Sequence, residues 1–276
     1  MEHKYPWEVV ILERKKKNGL IWLAVGGLVL AVAAVAVAVW APWREPDRSE
    51  VYVMAEQAIV KTEAKEDLGL QISSAAMITD NGTLRKTDTN GYIYKVGDQG
   101  RVLVYVNTKS TTPEDPSRDF DVTVSMVSDG QKVYDISGPE ETEVDMTCQE
   151  FDQIVSGLSF YRYREEDAVE VRYEENELEA FDGGELSVTL SRPGAETLEA
   201  IAVSLSEMLA EPVDPEKLVT VEARVDMSVY DGELRAQSCN FTVEHTCQDG
   251  RKVRYATATH VVLLEDSQGE LPTDGT

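Results

Sequence analysis

The side chains best suited to chemistry in this sequence are few and widely spaced. There are three histidines (His3, His245, His260) and three cysteines (Cys148, Cys239, Cys247). His245 shares the odd-numbered side of a strand-like run with Cys239 and Cys247, which are nitrogen and sulfur donors of the kind that hold zinc. His245 and Cys247 would point the same way. At ~3.3 Å per residue, however, Cys239 lies roughly 20 Å from His245, too far for one ion to bridge. A contribution from Cys148 stays open; without it the pattern reads as strand core, and no metal site is expected. His260 lies beside Thr257 and Thr259 with no nucleophile elbow around it. Glycine-rich phosphate loops and an EF-hand loop are also missing. The chain therefore reads as non-enzymatic, with no catalytic residue and no cofactor. The stretch Glu165–Glu185 holds ten carboxylates. They suit either a loose Ca²⁺ site or a solvated, self-repelling sheet edge.

Binding rather than catalysis is the chemistry that the apolar residues suggest. Val225, Met227, Phe241, Val243, Tyr255 and Val261 fall on one side of the last three strand-like runs. A helix-like segment over 195–210 carries Leu198, Ile201, Ala202, Leu205, Met208 and Leu209 at spacings of three and four. If Leu198, Ile201 and Leu205 cover the strand face incompletely, a groove for a hydrophobic ligand is left, of ~300–1,000 Å³ in a normal small-ligand site.

The elements that must position these residues follow from periodicity. Apolar residues alternate at 70–78, 102–106, 120–126, 134–136, 144–146, 169–173, 186–190, 219–229 and 253–263, as in strands with one buried and one wet face. Six Asn/Asp-Gly pairs, at 81, 90, 129, 182, 231 and 249, supply the positive φ of tight hairpins. Helices are expected over about 50–67, 148–158 and 195–210. A bare apolar strand face needs cover, so the fold class is α+β: a curved antiparallel sheet covered on one face by helices.

One further element precedes that domain. Gly19–Trp43 contains no charged residue, and 21 residues of helix span roughly 31 Å, a bilayer's hydrocarbon thickness. Arg14, Lys15, Lys16 and Lys17 come just before it, whereas Arg44 and Arg48 after it alternate with Glu45 and Asp47. The positive-inside bias places the N-terminus in the cytosol. Ala36-Val37-Ala38 would suit a signal peptidase, but the apolar run is longer than the ~7–15 residues of a cleaved signal. The expected organisation is a cytosolic basic head (1–18), a transmembrane helix with its interface (19–43), a linker (44–49), an extracytoplasmic α+β domain (50–267) and a disordered tail (268–276). Tyr5–Leu12 reads as lying on the cytosolic leaflet or meeting a cytosolic partner. The head takes five basic and three acidic residues from totals of 26 and 51, leaving the domain more acidic than the whole-chain net of −25. Such a surface repels nucleic acid.

The leading helix, the strand meander with Asx-Gly turns, the helical interruption and the final three-strand meander resemble the half-barrel lipoproteins. These include the LolA lipoprotein carrier, the LppX-type lipid-binding lipoproteins and related Gram-positive lipoproteins. The resemblance covers about residues 50–266. It differs in having a transmembrane anchor where those proteins carry a lipidated cysteine or a cleaved signal. It implies a half-barrel whose apolar concave face holds a lipid or hydrophobic ligand, and it implies no catalytic residue. The expected function is a membrane-anchored domain at the cell surface that binds a hydrophobic ligand or lipidic moiety. The alternative is an envelope interaction or sensor protein whose ectodomain binds a protein partner.

Overall fold

The computed structural model of the chain describes residues 47–80, 82–97, 100–175 and 183–264. The expected head, transmembrane helix, first linker residues and tail lie outside them, as do Asn81 and Asp182 of two Asx-Gly pairs. Among the described residues no helix is long and apolar enough to cross a membrane.

The domain opens with helix α1 (Arg48–Glu63), so the last linker residues expected at 44–49 are already helical. Asp47 caps it by accepting a hydrogen bond from Ser49 N at 3.0 Å. Its buried stripe is Val51, Ala55, Ala58, Ile59 and Thr62, a single face at helical spacing with two alanines that let the helix lie close to the sheet.

Strands β1 (Leu68–Thr79), β2 (Thr83–Val96), β3 (Arg101–Thr111), β4 (Phe120–Ser128), β5 (Val133–Asp135) and β6 (Thr142–Glu143) form a first meander. Helix α2 (Cys148–Gly157) follows, started by a capping box between Thr147 and Glu150. Then come β7 (Ala168–Glu175), β8 (Gly183–Leu190), α3 (Ala195–Leu209), β9 (Val219–Tyr230), β10 (Glu233–Thr246) and β11 (Lys252–Leu264). All the pairings are antiparallel. The sheet order is β6-β5-β4-β3-β2-β1-β11-β10-β9-β8-β7. Pairing of β1 with β11, from Gly69 opposite Leu264 to Thr79 opposite Arg254, joins the two meanders into one open sheet. The α+β half-barrel arrangement expected from the sequence is the one found.

That order puts β6 and β7 at opposite edges, so the chain between them has to cross the sheet. It does so over the helix-bearing face, burying Phe151, Phe160 and Tyr163 in the main apolar cluster. Gln237 of β10 holds the crossing strap. Its Oε1 accepts from Tyr161 N at 2.6 Å and its Nε2 donates to Tyr161 O at 2.9 Å. The Tyr161 ring packs on Phe241, centroids 5.1 Å apart, and its hydroxyl accepts from Gly194 N at 2.8 Å at the start of α3.

Two expectations are corrected here. Asn90-Gly91 is no turn but lies mid-strand in β2, Gly91 opposite both Ile72 and Val106. A Cβ there would come within 2.6 Å of Tyr105 O and 2.9 Å of Val106 Cγ2, so glycine serves close strand approach instead of positive φ. Val219 and Val221, expected on the buried side of β9, are exposed. A register shift between Thr242 and Val243 pairs Val243 with Thr220, and an extra residue of this kind moves everything beyond it to the opposite face. A second shift, between Leu234 and Ala236, frees Leu234 N from the ladder. Thr62 Oγ1 accepts from it at 2.8 Å, pinning α1 to the sheet.

Candidate functional site

Directly opposed residues in an antiparallel sheet share a face, so the register fixes what lies beneath the helices. Val225 opposes Cys239, Met227 opposes Gln237, Val243 opposes Tyr255 and Val261 opposes Gln237. Phe241 alternates with Cys239 and Val243 on β10. All six strand residues anticipated for a ligand cavity therefore share the helix-bearing face, but they do not line one cavity. Val225, Met227, Phe241 and Val261 are sealed in the cluster beneath α1 and the strap. Leu198, Ile201 and Leu205 of α3 instead pack with Val243 and Ile78, with Tyr255 against them. The helix expected to cover this face incompletely covers only one end of it, around Val243 and Tyr255. The rest is closed by α1 and by aromatic residues of the crossing strap.

An opening remains on the other flank of α3. A cavity of about 180 Å³ is bounded by Ser204 of α3, Ser74, Ala76 and Ile78 of β1, Arg85, Thr87 and Thr89 of β2, and Tyr255 and Thr257 of β11. Its floor consists of cross-strand rows. One runs Thr259–Ser74–Thr89–Thr108–Val122, the next Thr257–Ala76–Thr87–Ser110–Phe120. Hydroxyls pair along them: Ser74 with Thr259 at 2.9 Å, Thr89 with Thr108 at 3.2 Å, and Thr87 with Ser110 at 3.1 Å. At the end of the floor the Arg85 Nε is buried without a hydrogen-bond partner. Burial raises the pKa of the Tyr255 hydroxyl, which keeps it a neutral donor. Outside the cavity, at the β4 end of these rows, Phe120 and Val122, with Val124 beside them, are exposed at 42%, 49% and 37%. Arg85 can thus meet an acid group within the cavity, and the separate β4 row offers an apolar surface.

In the sequence Ser74 and Thr257 read as alternating strand positions, and nothing in the spacing singles out Arg85, Thr87, Thr89 or Ser204. The available signal was the run of small hydroxyl residues at inward positions, which alternate as core residues do but cannot fill a core.

The other chemically capable residues are placed as follows. Cys239 is buried mid-strand, and desolvation, with the Asp226 charge adding to it, pushes its thiol up to about 12, which disfavours the thiolate form there. His260 Nδ1 is 2.7 Å from Ser238 Oγ on the exposed side of β10–β11. The three cysteines are free. In the acidic stretch, Arg164 pairs with Asp167 at 2.7 Å and with Glu166 at 3.5 Å, while Glu165 accepts a hydrogen bond from Ser49. Further along, Arg172 pairs with Glu170 at 2.7 Å, and Ser228 donates to Glu185 at 2.7 Å. Apart from the buried Asp167, these carboxylates are exposed, and dispersed among separate partners they form no cation cage among the described residues.

No known protein family matches the sequence, and no curated protein does. Among solved structures the chain is similar to an S-type phycobiliprotein lyase from Guillardia theta at 7% identity. That match covers 77% of this chain and 96% of that one, with a TM-score of 0.20. It is similar to a DUF1329 family protein from Desulfovibrio piger at 9% identity, over 80% of this chain and 92% of that one, TM-score 0.22. An acyl-ACP thioesterase from Bacteroides thetaiotaomicron matches at 8% identity over 87% and 88% of the two chains, TM-score 0.16. These likenesses are of low identity and low TM-score, and no site residue carries across from them.

Proposed function

We propose that the domain is a non-enzymatic binding module for a small amphiphile with an anionic head group, held at the membrane surface by the apolar segment 19–43. The observation that carries this is the groove beside α3, where the unpartnered Arg85 Nε faces a floor of hydroxyls. At about 180 Å³ it is smaller than a pocket that encloses a whole drug-sized ligand, ~300–1,000 Å³. It suits a head group, with the hydrocarbon lying over Phe120, Val122 and Val124. A lipidic ligand is retained from the sequence reading; its polar end, not its chain, enters the groove.

The test uses the domain from Asp47 onward, free of detergent, with a fluorescent fatty acid and its methyl ester. The acid is expected to bind and the ester to bind at least ~10-fold more weakly, since a charge-assisted hydrogen bond contributes ~1.5–3 kcal/mol. Arg85→Gln should remove that preference. Equal binding of acid and ester, unchanged in Arg85→Gln, would end the head-group reading.

The second reading is a protein-interaction module in the cell envelope. The exposed apolar row on β4 favours it, as a patch that binds a partner. In that case Val122→Asp would abolish partner crosslinking, while neither probe would bind.

Anchoring has its own expected result. With Arg14–Lys17 holding the head in the cytosol, protease added to intact cells or protoplasts should remove the domain. Digestion only after permeabilisation would reverse the orientation.

A further inference from the structure

His245 and Cys247 gain in the fold what the sequence did not offer, a third ligand. Glu211 Oε1 lies 3.0 Å from His245 Nε2. One ligand atom each from Glu211, His245 and Cys247 falls within 4.8 Å of the other two. We propose that these three residues form a site for zinc or a similar borderline-soft divalent cation, which clamps the C-terminal end of α3 to the β10–β11 turn.

Each ligand is held by a separate local device. His245 is on the inward side of β10 opposite Val253, and Cys247 lies two residues on, at the mouth of the turn. Cys247 N donates to Arg251 O at 2.8 Å, and Gly250 N donates to Cys247 O at 2.9 Å. Glu211 arrives from the other direction. Ala210 ends α3 in the left-handed conformation at φ 55°, and Ser206 Oγ accepts from Val213 N at 2.9 Å, which fixes the loop on Glu211's far side. Thirty-four residues separate Glu211 from His245, and only the packing of α3 on this end of the sheet brings them together.

The donor set selects the metal. Thiolate and imidazole are poor ligands for Ca²⁺ or Mg²⁺, which take oxygen, whereas sulfur, nitrogen and one carboxylate oxygen suit Zn²⁺. Bond lengths of ~2.0–2.3 Å place tetrahedral ligand atoms roughly 3.3–3.8 Å apart. Reaching that from the observed spacing needs only small side-chain shifts. With a thiolate, a carboxylate and a neutral imidazole around a dication the site is electrically neutral, so its partial burial beside Val243, Val253 and Leu205 is not opposed by net charge. Three protein ligands leave a fourth position for water.

The experiment uses the full-length chain in detergent micelles, stripped with a chelator and titrated with Zn²⁺ and then Co²⁺. One Zn²⁺ per chain is expected, and Co²⁺ should give thiolate charge-transfer and tetrahedral visible bands. His245→Gln, Cys247→Ser and Glu211→Gln should each weaken Zn²⁺ binding, the first two on the order of 100-fold or more. Cys148→Ser and Cys239→Ser should change nothing. Zn²⁺ should also raise the wild-type melting temperature and protect one thiol from alkylation, while leaving Cys247→Ser unaffected. If Cys247→Ser misfolds, loss of the Co²⁺ thiolate band in Glu211→Gln or His245→Gln at unchanged secondary structure carries the test. Absence of stoichiometric binding, or binding that survives both His245→Gln and Cys247→Ser, overturns the site.

Discussion

Val225→Trp and Val243→Trp should both destabilise the fold, whereas Ala76→Trp should leave its stability unchanged and lose only the ligand. Val225 and Val243 are fully buried, at 0% exposure, one beneath α1 and the strap, the other beneath α3. A native core has no room for an indole, and adding even a few methylenes to one costs ~1–3 kcal/mol. The larger increment here should reach about 3 kcal/mol or more. For a domain of this size that lowers the melting temperature by roughly 6–12 °C. Ala76 is half-buried and opens onto the groove, so an indole there replaces solvent and projects over the hydroxyl floor. Circular dichroism melts of the three variants beside fatty-acid binding separate the outcomes. If Val225→Trp melts like the parent and only Ala76→Trp unfolds, the packing assignment of this face is wrong.

Gln237→Leu should be nearly as damaging, although it places an apolar residue in an apolar cluster. Gln237 is 1% exposed and satisfies both the N–H and the C=O of Tyr161. Leucine leaves two backbone groups without partners. Each such group costs ~1–3 kcal/mol when buried, so about 2–4 kcal/mol is expected, since Tyr161 is only partly enclosed. The strap should loosen before the sheet does. Amide hydrogen exchange should therefore rise at 159–164 and at the start of α3, which Tyr161 ties through Gly194 N, while the β1–β11 ladder stays protected. Gln237→Glu at a pH that keeps the carboxylate ionised should fare worse, because it loses the donor to Tyr161 O and buries a charge. Uniform exchange throughout the domain in Gln237→Leu would show that the strap is no separate unit.

What the sequence determined by itself is everything set by neighbours a few residues apart. Alternation assigned the faces of β1, β10 and β11, Asp231-Gly232 and Asp249-Gly250 set two hairpins, and threefold and fourfold spacing located α3. These signals are legible because a strand's period of two and a helix's of 3.6 are properties of the local backbone. The sequence likewise set the charge-free run 19–43 and its basic flank. Local reading failed where the backbone departs from its period. The bulge opposite Val243 flipped Val219, and Gly91 resembled a turn because a glycine needed for close strand approach looks the same as one needed for positive φ.

Tertiary structure alone decided which helix covers which strands. That follows from the pairing of β1 with β11, which lays α1 rather than α3 over Val225, Met227 and Phe241 and sends the strap across the face from one sheet edge to the other. The groove belongs to this level too. Ser74, Thr87 and Thr257 occupy core positions in the pattern, and only the resting place of α3 leaves them uncovered. Glu211 joins His245 and Cys247 for the same reason. No spacing rule links a loop after a helix to a strand end more than thirty residues on, because the distance between them is fixed by the packing of α3 on the sheet and not by the chain that joins them.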